Sequence, residues 1–328
     1  MAKIRWLGKS GDSFQDGVNW SGGIVPGRRD AAVLALDGRN LYGVYSFADE
    51  RIRNLRTAWN ATLHVFDGFF FAGGKRRTIH NEGTIILEVV RGGAGGLTLK
   101  GGLVNAAGAV IDASGGGVLN IAAGPGGIVN AGTLEATNVG KVKVRGVVDN
   151  SGLVTTSDHG SLRFYDAVGG IGSFVIDGGT LAFDSSFNQN VTFTAALSVL
   201  ELHQSRSYTA AISGFRTDGS TTLDLRDIDF VGAGELSWDD FSRTLTVSDG
   251  AHTAHIYLSN YFNPDAFIAT SDGHGGTNIV NHVAGTAQHQ LVAAMAGMGG
   301  GGLEANAMAG AHDESWRPAL SVARHAFA

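Results

Sequence analysis

The chain has 328 residues, including 50 glycines, 4 prolines and no cysteine, and charged residues make up only 16% of it. The lack of cysteine excludes disulfides, thiolate zinc sites and a cysteine nucleophile. The formal net charge is -6 and no basic stripe is evident along the sequence, so nucleic acid is not expected as a partner.

Residues 1–60 differ in composition from the central part of the chain. Two basic residues come early, but no apolar stretch of signal-peptide length stands behind them. Trp6, Trp20 and Trp59, with a basic segment at residues 51–56, are typical of an N-terminal cap on a repetitive fold. Every later apolar stretch is interrupted before the roughly 18 residues that a membrane-spanning helix needs, so no transmembrane segment is expected.

A turn of small residues followed by a short alternating apolar strand recurs through residues 61–230. Instances stand at residues 82–87, 96–99, 117–121, 132–136, 160–164 and 179–183. Asparagine comes shortly before glycine at Asn81, Asn105, Asn130 and Asn150, a period of roughly 20 to 25 residues. This period predicts an all-β fold, a parallel β-helix (β-solenoid), in which stacked asparagines could form a hydrogen-bonded ladder.

Alternation within each strand predicts which side chains enter the core of the solenoid. Val142 and Val144 are expected to point inward, while Lys141, Lys143 and Arg145 point outward. A β-sandwich also has many short strands, but it gives no reason for the repeat of roughly 20 to 25 residues.

Residues 231–280 are expected to form terminal coils or a separate β-module. The stretch TLTVSDGAHTAHIYL, residues 244–258, predicts a strand, a tight turn and a second strand, with four buried residues, Leu245, Val247, Ile256 and Leu258. A second turn is expected at residues 271–273. Residues 281–328 are rich in Ala, Gly, Met and His, and predict a flexible tail with a candidate secretion signal.

Two stretches resemble known families. Asn19-Trp20-Ser21-Gly22-Gly23, followed by Pro26-Gly27 and Asp30, resembles the opening of autotransporter-like and haemagglutinin-like β-helix proteins of bacteria. Phrases within residues 212–280, among them Leu245-Thr246-Val247-Ser248-Asp249-Gly250, are similar to a module near the ends of large surface proteins of proteobacteria, many of them exported by type I secretion.

These resemblances imply an extracellular or cell-surface protein, without enzymatic activity in these modules and exported without a cleaved N-terminal signal peptide. The tandem calcium-binding nonapeptide of many type I substrates does not occur in the sequence.

One acidic cluster, Asp224, Asp227 and Asp229, is the candidate calcium site, and it could also supply the carboxylates of a polysaccharide lyase or hydrolase. In the alternative interpretation these aspartates and Arg226 face water, while four apolar neighbours, Leu223, Leu225, Ile228 and Phe230, face the core. No other cofactor is expected.

Two further features offer weaker evidence of chemistry. Asp239-Asp240 beside Trp238 could bind sugar, but a turn between strands is the preferred interpretation. His252 and His255 are three residues apart, so on a strand they would face opposite sides and would not share a metal ion.

The sequence therefore predicts a structural or adhesive protein that self-assembles, head to tail or laterally, or attaches to a surface such as cell-surface polysaccharide. Two alternatives stay open, namely a polysaccharide-active β-helix enzyme and a phage-type β-helical fibre protein.

Overall fold

A computed structural model describes residues 2–282, apart from residue 67, residues 90–94 and residue 125. The predicted tail and secretion signal at 281–328 lie outside the described residues from residue 283 onward. Strands make up 56% of the structure and helix 4%, in agreement with the all-β prediction. The helices in the described part are short 3₁₀ turns, at Gly17–Asn19, Ser205–Ser207, Ala233–Glu235 and Pro264–Ala266. None of them is long and apolar enough to cross a membrane.

Parallel strands stack into a β-solenoid of about 8 turns, which confirms the predicted fold. Strand segments of successive turns pair in register and form three sheets. Sheet A contains Lys3–Arg5, Ala31–Leu34, Asn54–Thr57, residues 78–81, residues 102–105, Ile128–Asn130, Val148–Asn150 and Val168–Gly170.

Sheet B contains Asp12–Ser13, Tyr42–Ser46, Ala61–Val65, Thr84–Glu88, Val110–Ser114, Thr133–Ala136, residues 153–157, residues 173–177, Val191–Phe193 and Ala211–Ser213. Sheet C contains Glu50–Ile52, residues 68–73, residues 95–100, Val118–Ala122, Lys141–Arg145, residues 160–164, residues 179–183, Ser198–Leu202 and Thr221–Leu225. Four long strands, Gly68–Asn81, Gly95–Asn105, Leu153–Phe164 and Ser173–Phe183, bend at a corner and serve two sheets each.

The core lies inside the coil and is lined by alternate residues of every sheet. Lys141–Arg145 illustrates the rule, since Val142 and Val144 are buried while its three basic residues are exposed, as predicted. All six predicted repeats overlap strands.

The predicted asparagine ladder is present where sheet A turns into sheet B. Asn81 donates to Asn105 at 2.8 Å, Asn105 donates to Asn130 at 2.7 Å, and Asn130 donates to Asn150 at 2.7 Å. Thr57 donates its hydroxyl to Asn81 and begins the series. All five side chains are buried, so the ladder satisfies polar groups that would otherwise be costly in the core.

The first coil explains the residues of the NWSGG motif. The Trp20 indole nitrogen donates to the Phe14 carbonyl at 2.7 Å, and the Trp20 ring meets Trp6 edge to face at 5.0 Å. Asp30 accepts from the Gly27 backbone at 3.2 Å and closes the turn after the proline. These contacts fill the solenoid end with aromatic rings, although Trp59, grouped with this end in the sequence, is 58% exposed.

Antiparallel strands follow the parallel coils. They are Leu236–Asp239, Thr244–Ser248, Thr253–Leu258, Phe267–Ser271 and Thr277–Asn281. Thr277–Asn281 pairs antiparallel with the last strand of sheet C, and Thr253–Leu258 pairs with the last strand of sheet B. The backbone edges of both sheets are therefore covered at this end.

The stretch at residues 244–258 is a strand, a turn and a strand, as predicted. Asp249 accepts from two backbone N–H groups within the turn, and Gly250 has a φ of 91°. The four residues predicted to be buried are all in the core, namely Leu245, Val247, Ile256 and Leu258.

Candidate functional site

The strongest concentration of interacting charges lies on the outer face of sheet C, near its last coils. Register pairing places Arg163, Glu201 and Asp224 in one row, with Ala182 between Arg163 and Glu201. The next outward row contains Asp184, His203 and Arg226, each of which directly follows the end of a sheet C strand. We call these residues, together with Asp272, the sheet C charge cluster.

Arg163 lies at the centre of one half of this cluster. Its Nη2 atom is 2.8 Å from Asp184 Oδ1 and 3.1 Å from Glu201 Oε1. The same nitrogen is 3.0 Å from His203 Nε2, which itself lies 2.7 Å from Glu201. Burial opposes the charged form of Arg163, but the hydrogen bond to Asp184 and the charge of Glu201 leave its pKa raised.

Arg226 holds the other half of the cluster together. Its Nη1 atom is 2.5 Å from Asp272 Oδ2 and 3.6 Å from Asp224 Oδ2, and its Nε atom is 3.8 Å from Glu201. Asp272 belongs to the turn predicted at residues 271–273, where it accepts from the backbone N–H of His274. Although burial opposes it, that hydrogen bond and the Arg226 charge lower the pKa of Asp272.

Asp224, a carboxyl group of this cluster, is only 8% exposed. Burial raises its pKa to about 6, against the opposing effect of the Arg226 charge. Its environment differs from the sequence-based expectation that the aspartate faces water, because neighbouring charged side chains cover it.

Three members of the sheet C charge cluster are of the residue types that bind metal ions. Within the described residues, ligand atoms of Asp184, Glu201 and His203 lie within 4.8 Å of one another. The Arg163 guanidinium contacts all three, so a cation of the protein already occupies the position that a metal would take. The donor set therefore suits a metal only if Arg163 moves away.

The predicted calcium ligands are engaged with different partners. Asp224 faces Arg226, whereas Asp227 accepts from the backbone and hydroxyl of Ser205 at 3.0 and 2.6 Å and so caps a 3₁₀ turn. Asp229 is exposed, and its backbone nitrogen donates to Asp249. The calcium site at these three aspartates stays a prediction, and the contacts assign Asp227 a structural role.

The alternative interpretation of this segment is correct for three of its four apolar residues. Leu223, Leu225 and Ile228 are completely buried, but Phe230 is 37% exposed, so its prediction as a core residue is wrong. Phe230 follows the end of the strand, and its backbone nitrogen bonds to Gly275 in a loop. Strand alternation therefore no longer determines its direction.

The Trp238 segment forms a turn between strands, as preferred from the sequence. Asp239 accepts from the Phe241 backbone and the Ser242 hydroxyl, and the Trp238 ring packs against Phe262 at 5.5 Å.

The two nearby histidines have separate partners. His252 pairs with Asp249 in the turn, whereas His255 lies on the strand beside Thr246.

Sequence reasoning missed a second group of side chains, on the outer face of sheet B. Asp112 and Glu135 are register partners, and Asp112 accepts from the Thr137 hydroxyl at 3.1 Å. Burial and the Glu135 charge raise the pKa of Asp112 to about 7, and burial also raises that of Glu135. No local motif marks this pair, because the two residues are brought together only by stacking of the coils.

Aromatic rings stack along the same face of sheet B. The Tyr45 and His64 rings are parallel at 4.7 Å, and those of Phe47 and Phe66 at 5.1 Å. His64 also pairs with Glu88 at 3.1 Å. The rings stack on one another, although Phe47 remains 57% exposed.

Comparison with models of known protein families gives no match, and comparison with curated proteins gives none either. Function is therefore inferred from the outer faces of sheets B and C.

Proposed function

We propose that this chain is a non-enzymatic structural or adhesive protein, secreted or attached to a bacterial cell surface, which works through the outer faces of its solenoid. The observation that carries the proposal is the position of Arg163, whose guanidinium lies among Asp184, Glu201 and His203. Carboxylates that are hydrogen-bonded to an arginine in this way stabilise the protein surface. They are not free to act as acid, base or nucleophile toward a substrate.

The ladder of buried asparagines supports a mechanical role. It ties successive coils together at one corner with bonds of 2.7 to 2.8 Å. A rigid solenoid holds its outward side chains at a repeat of roughly 4.8 Å, which suits contact with an extended or repetitive surface. The resemblance to bacterial surface proteins and their type I export is consistent with this role.

Self-association is proposed to be lateral. The last strand of sheet C is covered by an antiparallel strand. The last strand of sheet B is covered by Thr253–Leu258, which pairs parallel with it but belongs to an antiparallel hairpin, so further stacking of coils is opposed at that end. At the first coil, the edge strand Lys3–Arg5 carries two exposed basic side chains, which disfavour close pairing with another chain.

A polysaccharide-active enzyme is the second candidate, and Asp112 favours it. A carboxyl group with a pKa of about 7 can donate a proton at neutral pH, and a neighbouring carboxylate, Glu135, could act as its partner. The hydrogen bond that Asp112 accepts from Thr137 is equally consistent with a buried aspartate that has only a structural role.

Attachment and turnover can be measured on the same samples. The labelled full chain is incubated with bacterial cells and with immobilised extracellular polysaccharide, and its retention and the release of reducing ends are measured. The proposal expects retention without new reducing ends, and the heat-unfolded chain serves as control. Release of sugar that is abolished by Asp112→Asn would overturn the proposal in favour of the enzyme. A trimeric mass in solution with no retention would overturn it in favour of the fibre protein.

A further inference from the structure

The first half of sheet C carries a row of basic side chains that the sequence does not reveal. Register pairing aligns Arg51 with residues 71, 98 and 120 and then with Lys143. The neighbouring row aligns Lys100 with residue 122 and Arg145. Lys141, Lys143 and Arg145 project from a single strand, and all three are exposed. We call Arg51, Lys100, Lys141, Lys143 and Arg145 the basic face.

No carboxylate in the part of the chain that the structure describes neutralises these five cations. None of them forms an ion pair within the described residues, in contrast to Arg163 and Arg226 further along the same sheet. Outward positions of sheet C between Arg51 and Arg163 hold small, apolar, polar or basic residues and no carboxylate. The basic face is therefore a local positive surface on a chain whose net charge is -6.

Aromatic rings and a shallow cleft adjoin the basic face. Arg51 lies over the Phe71 ring at 4.8 Å, Arg145 lies over the Tyr165 ring at 3.9 Å, and Phe69 is 61% exposed.

Two depressions, of about 450 and 280 Å³, share Arg28, Arg51 and Phe71 among their lining residues. Asp49 and Glu50 also line the larger depression. Asp49 accepts a hydrogen bond from the Phe69 backbone, and Glu50 accepts one from the Gln15 side chain.

We propose that the basic face binds an acidic polysaccharide whose sugar residues carry carboxylates, as in a polymer of uronic acids. This inference rests on the proposed function and names the surface to which the solenoid attaches. Lysine and arginine would pair with the carboxylates, while the exposed ring of Phe69 would lie against a sugar. The polymer would run across successive coils, which are spaced roughly 4.8 Å apart.

Charge density favours a polysaccharide over nucleic acid. Duplex DNA carries about one negative charge per 1.7 Å of its length. The basic face offers fewer cations than that, since the row from Arg51 to Lys143 has uncharged residues at three intervening strands. A polymer with one carboxylate per sugar is better matched, and it meets less repulsion from the remainder of an acidic protein.

A second copy of the chain is a poorer fit to the basic face. The acidic residues that could complement it on the same sheet are Asp184, Glu201 and Asp224. These carboxylates already pair with Arg163 and Arg226, so binding a second copy would require breaking existing ion pairs.

The test compares two variants of the full chain that each lose four positive charges. The first replaces Lys100, Lys141, Lys143 and Arg145 with Gln. The matched control replaces four exposed cations outside the basic face, Lys3, Arg5, Lys9 and Arg39, with Gln. Binding to polygalacturonate, to its fully methyl-esterified form and to single-stranded DNA is measured by biolayer interferometry at low and high salt. Circular dichroism verifies that both variants fold.

The inference expects polygalacturonate to bind the wild-type chain, more weakly at high salt, and the esterified form to bind far less. Loss of the basic face should raise the Kd for polygalacturonate by roughly tenfold or more, and the control should change it by less than about twofold. Equal effects of the two variants, or tighter binding of single-stranded DNA, would overturn the inference. Retention on cells without binding of polygalacturonate would overturn it while leaving the proposed function intact.

Discussion

The Asn105 amide donates to the side-chain oxygen of Asn130 at 2.7 Å, and both residues are almost completely buried. Asn81 and Asn105 each use the amide group twice, once toward the next asparagine and once toward a backbone carbonyl of the next coil. The corner between sheets A and B is therefore held by side chains as well as by the backbone ladder.

Replacing Asn130 with Ala should weaken the solenoid. The change removes one of the two partners of the Asn105 amide and the donor to the side-chain oxygen of Asn150, both in the core. We expect the free energy of unfolding to fall by ~2–4 kcal/mol, measured by urea denaturation monitored by circular dichroism. Asn120→Ala is the control, because Asn120 faces outward and should change stability by less than ~0.5 kcal/mol. Equal effects of the two substitutions would contradict a stabilising ladder.

Gly140 is a position where close approach of two coils requires glycine. A Cβ atom there would overlap the carbonyl oxygen of Ala113 in the preceding coil, and a backbone atom cannot move aside cheaply. Gly140→Ala should therefore cost about 3 kcal/mol or more and lower the yield of folded protein. Gly169→Ala is the matched control, since nothing lies within 4 Å of its added Cβ atom. Thermal melting of both variants tests this expectation, with Gly140→Ala expected to melt at the lower temperature. Similar melting temperatures of the two variants would contradict it.

Arg163→Ala tests the role of the guanidinium in the sheet C charge cluster. Removing it leaves Asp184, Glu201 and His203 close together without the cation that they share, so stability should fall by ~1–3 kcal/mol. Zinc should then raise the melting temperature of the variant by binding these ligands, but not that of the wild-type chain. Lys143→Ala is the control for other zinc sites in the chain. A zinc response of the wild-type chain as large as that of the variant would argue against Arg163 filling the site.

Asp112 should make stability depend on pH. Its folded pKa of about 7 lies above the ordinary value of 3.8, so the folded chain binds more protons than the unfolded chain between these values. This contribution is fully present below about pH 4 and is lost as the pH rises through about 7. Asp112→Asn should therefore leave stability at pH 4 nearly unchanged and raise it at pH 8 by up to ~3 kcal/mol. Melting curves at several pH values test this, and a difference between the two proteins that is constant with pH would contradict it.

Much of the fold can be predicted from local patterns in the sequence. The spacing of Asn81, Asn105, Asn130 and Asn150 predicts both the solenoid and the ladder, because each coil places its asparagine at the same corner. Alternation predicts which side chains enter the core in strands such as Lys141–Arg145. It fails at Phe230, which lies beyond a strand end.

The outer faces could not be predicted in the same way. Lys100 and Arg145 belong to one row only because their strands lie two coils apart in register, and Asp112 meets Glu135 because their strands are neighbours. The exact register of each coil is needed to see these relationships, and the number of residues per coil varies along the chain. The sequence, which shows no basic stripe along the chain, therefore does not reveal the basic face of sheet C.

Attachment to a polysaccharide without cleavage is the central claim, and size-exclusion chromatography with light scattering tests it most directly. The full chain is incubated with polygalacturonate of defined length, and the masses of the protein and the polymer are measured across the elution. We predict that protein elutes with the polymer and that the polymer keeps its original length distribution. Protein that elutes alone, or a polymer that becomes shorter with time, would contradict the claim.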